Sequence, residues 1–431
     1  MTAMLFTALR LRCRSILFLS LFLGMAVGPR ACSADPPAVR WNLPGPAPHL
    51  LMHYMPWFQV EAGPGQSKQT WTHWRWDGPG PKHDPAQRRA DGLRDVASVY
   101  YPLIGPYNTW SRAVVRYHLE TIKAVGVQGL VVDWYGPDSY TDQQVPQILD
   151  EAQRVGLKVA ICYEEKMNFL WRGFKTREQA IQAATIDIRH ILTHYANHPA
   201  YLRCDGRPLI LQFDGYGNGP MGQGFFSPAE LTQILHDQPM PVAYCRQGLT
   251  PEFHPAIPGA FQWWSSTSGE LLNFAHSARK MVDEQKLSFF ANEISPGFDD
   301  TGVWGWGDGA RVTPRAGISL LKNTFDLSFT DRPDLIQIVT WNDFNEGTVM
   351  EPTRENGFQY VDALATWWAE RTGRHADLEA LRKPFLNYVK TCSPEERAEL
   401  PAAPYDVYLK PRPLTIEIPN YLDYLAQHPA H

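Results

Sequence analysis

Eight short apolar runs, separated by stretches of helical period, constrain this chain more than any other feature. They fall at residues 49–58, 129–136, 158–165, 208–215, 241–247, 260–266, 287–292 and 335–342. Most are apolar almost without interruption, as parallel strands covered on both faces are. Amphipathic stretches lie between them at 112–125, 145–155, 177–197, 228–237, 270–286 and 313–325, and a closing one at 360–371. Ser227-Pro228-x-Glu230 has the form of a helix start, with a hydroxyl cap, Pro at the first position and an acid in the first turn. Only 248–259, which holds three Pro, carries no helical pattern. Eight strands with seven helices predict a (β/α)8 TIM barrel. A doubly wound open sheet is the alternative, but no G-x-G-x-x-G follows the first strand.

The first 34 residues stand outside this pattern. Arg10, Arg12 and Arg14 precede an apolar run from 16 to 27, and small residues follow at Ala31-Cys32-Ser33-Ala34. This is the layout of a signal peptide cut near Ala34, so a secreted or periplasmic protein is expected. The run is short for a bilayer span, and no membrane association is expected after cleavage. Pro29-Arg30-Ala31 is a poor context for lipid modification of Cys32. Cleavage removes four Arg and no acid, taking the net charge from -5 to -9, which leaves no electrostatic footprint for nucleic acid. Cys162, Cys204, Cys245 and Cys392 remain; they lack metal-site spacing, and the sequence does not pair them. The domain reading is a signal peptide at 1–34, a barrel at 35–375 and a C-terminal extension at 376–431, with one helix (377–390) and a Pro-rich run packed on the barrel. Oligomeric state is left open.

In a (β/α)8 barrel the chemistry sits where the strands end. Those ends carry Asp133-Trp134-Tyr135, Glu164-Glu165-Lys166, Asp214-x-Tyr216, Trp263-Trp264, Asn292-Glu293 and Asn342-Asp343-Phe344-Asn345-Glu346-Gly347. Segment 59–110 is too long for an ordinary connection and is expected to form a binding wall. Acids and aromatics without clustered bases exclude phosphate ligands and suit a neutral sugar, whose apolar faces stack on indole while carboxylates grip its hydroxyls. Gly347 permits a turn that aims both Asp343 and Glu346 into the mouth. Two carboxylates in a partly dry cleft separate in pKa, one ionised and one protonated, as glycoside cleavage requires. The competing account is that they only cap the next helix.

Several segments together resemble glycoside hydrolase family 99, the endo-α-mannosidase and α-mannanase family, and its 71/99-like relatives. They are Tyr54-x-x-Trp57, Thr72-His73-Trp74, His83-Asp84-Pro85, 101–107 (YPLIGPY), Tyr117-His118, Asp133-Trp134-Tyr135, 295–300 (SPGFDD) and 341–348 (WNDFNEGT). The resemblance implies a barrel, export and an oligo- or polysaccharide substrate. It implies Glu346 as general acid/base, and Asp343 as the acid that deprotonates the sugar's own 2-hydroxyl, giving a 1,2-anhydro intermediate and net retention. It places Glu164 on the sugar and Tyr54, Trp57 and Trp134 around it. Asp133, Tyr135, His73, Trp74 and Asn342 join the expected substrate contacts. Position 343 is Asp where the mannan-cleaving members have Glu, which draws the carboxylate back by about 1.5 Å.

The expected activity is therefore a retaining, endo-acting hydrolase of an α-linked polysaccharide, α-mannan-like or α-glucan. The alternatives are a non-catalytic carbohydrate-binding barrel and an inverting α-1,3-glucanase-like enzyme. No metal or cofactor is expected. His190, His194 and His198 share a helix face but suit a helix C-terminus, and His53 is either core or mouth. Asp299-Asp300 reads as a solvated pair.

Overall fold

The computed structural model describes residues 38–61, 71–165, 172–174, 176–213, 226–254 and 256–427. The expected signal peptide, Cys32, Lys166, Asp214 and Tyr216 lie outside the described residues. Eight parallel strands close into a barrel: β1 His49–Tyr54, β2 Gly129–Trp134, β3 Lys158–Glu164, β4 Arg207–Phe213, β5 Ala243–Gln247, β6 Gly259–Phe261, β7 Phe289–Ile294 and β8 Leu335–Ile338. Each pairs with its successor in the chain, and β8 pairs with β1 to complete the ring. This is a (β/α)8 TIM barrel.

Seven connections carry helices: α1 Arg112–Val125, α2 Val145–Val155, α3 Arg177–His194, α4 Pro228–His236, α5 Ser268–Asp283, α6 Ser319–Leu327 and, after β8, α7 Gln359–Arg371. The Pro-rich connection from β5 to β6 holds only a 3-10 turn, Pro251–Phe253. At α4 the Ser227 side chain accepts from the Glu230 N–H while the Glu230 side chain accepts from Ser227, so both orphan donors are satisfied. The first, sixth and eighth strands end earlier than their apolar runs, because the chain leaves the sheet to build loops over the mouth. The seventh runs two residues further, so Glu293 is a strand residue.

The strand period sorts the side chains into two cores. Leu51, Val131, Ala160, Cys162, Leu211, Cys245, Phe289 and Ala291 fill the barrel. Their neighbours Leu50, Met52, Leu130, Val132, Val159 and Ile161 face the helices. Higher in the barrel the inward positions turn polar: His53, Asp133, Glu164, Glu293 and Gln337, all buried. Beyond α7, the predicted tail helix begins as a 3-10 turn, Ala380–Arg382, and continues as α8 Lys383–Thr391. Phe385 and Tyr388 of α8 pack on Tyr117 of α1, and Arg382 forms a buried ion pair with Asp362 of α7. Cys162, Cys204, Cys245 and Cys392 are free and buried.

Gly259 shows how closely the barrel is filled. A Cβ there would sit 2.3 Å from the Phe289 ring and 3.1 Å from the Cys245 Cβ, whereas at Gly269 in α5 the nearest atom is 3.8 Å away. Gly259→Ala is expected to destabilise by about 1–3 kcal/mol through overpacking. Gly269→Ala is expected to stabilise by roughly 0.4–1 kcal/mol by restricting the unfolded chain. Thermal unfolding of the two variants side by side checks the opposite signs.

Candidate active site

The loop after β8 is built around its own hydrogen bonds. Thr340 Oγ1 accepts from the Asp343 N–H at 2.8 Å, and Asp343 Oδ1 accepts from the Glu346 N–H at 3.0 Å. Gly347 follows at φ 64°, and a Cβ there would lie 2.7 Å from the Asp299 carbonyl, so a side chain is excluded by both conformation and space. The tight turn thus sets Asp343, buried, beside Glu346, which is partly exposed.

Four carboxylates feel one another here. Burial raises Glu164 well above the usual carboxylate range, and the charges of Asp133, Glu346 and Asp343 push it further; it also shares a hydrogen bond with Asp133. A carboxyl pair that shares a hydrogen bond holds a proton. Burial and then Glu346 raise Asp343 in the same way. Burial raises Glu346 too, opposed by a hydrogen bond from Trp306 and by the charge of Arg311. Glu164, Asp343 and Glu346 therefore converge in one cleft with Asp133.

Asp133 is held from below. His53 Nε2 lies 2.7 Å from Asp133 Oδ1 and Gln337 Nε2 lies 3.1 Å from His53 Nδ1. With the amide nitrogen as the donor to Nδ1, the imidazole donates through Nε2 to the carboxylate. Trp263 covers His53 edge-on at 4.6 Å and also packs on Phe213. Ligand atoms of His53, Asp133 and Cys162 lie within 4.8 Å of one another, a spacing that could hold a metal ion. Here the His53–Asp133 hydrogen bond occupies that space, and burial keeps the Cys162 thiol protonated. The His190, His194 and His198 stripe forms no such group among the described residues: His190 stacks between Trp134 and His194.

A wall of aromatics borders the carboxylates. Trp57 stacks on His73 at 4.8 Å and on Tyr135 at 5.6 Å. His73 is fixed by Asn345 Oδ1 at 3.2 Å and the Tyr140 hydroxyl at 3.0 Å. Burial pushes its pKa down to about 4, so it is neutral near pH 7.

Four expected substrate contacts are corrected. Trp134 alternates with Asp133 on β2 and faces the helices, fully buried, with its indole N–H on Asp142 Oδ1 at 2.7 Å. Tyr54 likewise points outward, its hydroxyl 3.0 Å from His118 Nδ1. Trp74 is sealed among Phe58, Tyr107 and Phe344, with its N–H on the Tyr107 carbonyl. Asn342 is a staple: it accepts from the Met55 N–H and donates to the Met55 carbonyl and the Tyr107 hydroxyl. None of the four has a surface to offer a sugar. Asp300 is also corrected: it is fully buried, accepting from the backbone N–H and Nε of Arg311 at 2.6 and 2.7 Å.

Three groups were not among the expected site residues, although Glu293 and Asn345 stand at the strand ends singled out in the sequence. Trp306 donates to Glu346 Oε1 at 3.1 Å. Asn345 ties the loop after β8 to residues 73 and 97 through their carbonyls. Glu293, one layer below, accepts from the Ser265 N–H at 2.9 Å. The alternation of β8 and β7 would have flagged Glu293; nothing in the local sequence points to Trp306.

The family model described as glycosyl hydrolase family 99 matches residues 47–226, which hold Asp133 and Glu164 but end before Asp343. The chain is 25% identical over 338 residues to the "Glycoprotein endo-alpha-1,2-mannosidase" of Rattus norvegicus, spanning 72% of this chain and 69% of that one. These matches support the chain as a member of glycosyl hydrolase family 99. It is a glycoside hydrolase, acting on O-glycosyl bonds and similar to endo-α-mannosidases. The "Mutanase Pc12g07500" of Penicillium rubens is 23% identical over 285 residues, 63% of this chain and 56% of that one. Among solved structures, the family 99 endo-α-mannosidase of Bacteroides thetaiotaomicron superposes with a TM-score of 0.58 at 22% identity, covering 78% of this chain and 98% of that one. At that identity the superposition speaks for the fold.

Glu293 couples stability to pH. Burial pushes its pKa up to about 8, with hydrogen bonds from Ser265 and Ser295 pulling the other way. A carboxyl raised on folding binds its proton more tightly in the folded state. Its penalty is complete above about pH 8 and is relieved as pH falls toward the unfolded value, at roughly 1.4 kcal/mol per unit. Glu293→Gln is expected to raise the thermal midpoint at pH 8.5 and to leave it nearly unchanged at pH 4.5. Thermal scans across that range check it; an unaltered slope refutes the assignment.

Proposed function

We propose that this enzyme is an exported, endo-acting hydrolase of an α-linked oligo- or polysaccharide that cleaves with net retention, with Glu346 as acid/base and Asp343 as its partner. The observation that carries this reading is the bond from the Glu346 N–H to Asp343 within a buried set of four carboxylates. Burial and mutual repulsion keep Glu346 protonated to higher pH than a free carboxyl, the state needed to protonate a leaving glycosidic oxygen. Asp343 lies on the same turn, where its ionised form, which burial and the Glu346 charge shift to higher pH, can accept the 2-hydroxyl proton of the sugar. Glu164 and Asp133, sharing one proton, offer both a donor and an acceptor to sugar hydroxyls. The stack of Trp57, His73 and Tyr135 limits how the sugar enters, and His73, being neutral, adds no charge to it.

Export rests on the Arg-flanked apolar run before Ala34; N-terminal sequencing of the mature protein tests it, and an uncut chain in the cytoplasm overturns it. The substrate rests on the relatives, whose names span endo-α-1,2-mannosidase and mutanase. A screen against α-mannans and α-1,3-, α-1,4- and α-1,6-glucans tests it, read by the size of the products. Glu346→Gln and Asp343→Asn are each expected to lower kcat by about 10²–10⁴-fold, with the alkaline limb of the wild-type profile displaced upward from that of a free carboxyl. Absence of products from every glycan despite binding defeats the enzymatic role of these residues.

A second reading is favoured by Asp343 itself. Its shorter arm leaves more room than a Glu would, and room between two carboxyls admits an attacking water and inversion. NMR of the first-formed anomer separates the two outcomes.

A further inference from the structure

Trp306 touches the candidate acid yet has no part in the chemistry above. It lies in the loop Thr301–Gly307, where Trp304, Gly305 and Trp306 all adopt left-handed φ values of 49, 61 and 57°. This conformation is held on several sides. The Asp300 carbonyl accepts from the N–H groups of Val303 and Gly305 at 3.1 Å each. Trp304 lies so close to Gly80 that a Cβ there would be 2.3 Å from its ring, and Gly302 approaches the backbone of Ser98 as closely. The Trp306 ring stands edge-on to Trp76 at 5.8 Å and to His73 at 6.2 Å.

Despite these supports the Trp306 side chain is 40% exposed. Trp57 and Tyr135, the other aromatics of the wall, are buried and already stacked. A sugar beside Glu346 therefore finds an exposed indole surface at Trp306. Glu346 acts on the glycosidic oxygen, so an indole bonded to it borders the departing half of the substrate.

We propose that Trp306 is the platform for the sugar on the leaving-group side of the scissile bond: its exposed face takes a neutral pyranose ring, and its N–H pins Oε1 of Glu346 so that Oε2 faces the glycosidic oxygen. The assignment rests on Glu346 being the acid. A preformed platform held by interlocking loops spends no ordering entropy when the sugar arrives. The groups that set the protonation of Glu346 are Asp343, Asp133, Glu164, Asp300, Arg311 and the Trp306 N–H itself.

The test compares kcat/KM for an oligosaccharide substrate with that for an α-glycosyl fluoride of the same glycone, which has no leaving sugar and needs no acid to depart. For Trp306→Ala the ratio of the two is expected to fall by about tenfold or more, through KM of the oligosaccharide. Trp306→Phe keeps a ring and removes the N–H. It is expected to recover most of the lost KM and to move the alkaline limb of kcat/KM upward, because the bond that favours ionised Glu346 is gone. Equal losses on both substrates, or an alkaline limb that stays put in Trp306→Phe, overturn the proposal. Glu346→Gln separates the two layers of inference. If it retains full oligosaccharide activity, the reading of Glu346 as the acid fails. If it is inactive while the Trp306→Ala ratio is unaltered, only the platform fails.

Discussion

Four carboxylates confined to one poorly hydrated cleft repel one another, and much of the surrounding structure answers that repulsion. They cannot all be ionised, so protons belong to the site as much as side chains do. Among the described residues little positive charge relieves them: Arg311 acts on Glu346 while bound to Asp300, and the His53 imidazole reaches Asp133 only as a hydrogen-bond donor. What remains is hydrogen bonding: the Asp133–Glu164 pair, the turn from Asp343 to Glu346, and the indole of Trp306. Each fixes a carboxylate in direction while leaving its protonation free to change, which is what proton transfer at a glycosidic bond demands.

Holding these acids in place requires a scaffold behind them. Asn342 binds the backbone of Met55 through both ends of its amide and so anchors the loop after β8 to the loop after β1. Tyr107 joins that staple to Glu351, which in turn faces His118 and, through it, Tyr54. This network is buried outside the barrel and is distinct from the one inside. Its members come from segments far apart in the chain, so the mouth is fixed by tertiary bonds rather than by loop length.

The barrel was legible in the sequence because eight strand-like runs alternate with seven helical ones and because the one Pro-rich connection stood out. Asp343 and Glu346 were legible as two acids on a glycine turn. Trp134 and Tyr54 were misplaced although the sequence held the correction: Asp133 and Val131 share a face of β2, so Trp134 takes the other, and the same alternation turns Tyr54 away from His53. Aromatic residues near a strand end serve two cores here, and residue type cannot say which. Trp74 and Asn342 depend on partners dozens or hundreds of residues away, which local spacing does not encode. Asp300 read as solvated because its partner, Arg311, lies across a loop whose left-handed turn no pattern announces.

That loop explains why two tryptophans occupy a conformation that costs each of them roughly 1–3 kcal/mol. Left to itself, the 301–307 segment would relax and carry Trp306 away from Glu346. Gly80 admits the Trp304 side chain and Gly302 the backbone of Ser98 to distances any Cβ would forbid, and buried Asp300 ties both sides of the loop together. The strain is borne by residues that do not touch the other carboxylates, and its product is an indole N–H aimed at one oxygen of one acid. The same logic runs through Gly347, where a forbidden Cβ lets Asp299 press against the catalytic turn. Segment 298–311 and the loop after β8 are therefore one mechanical unit, and the geometry of Glu346 is set jointly by both.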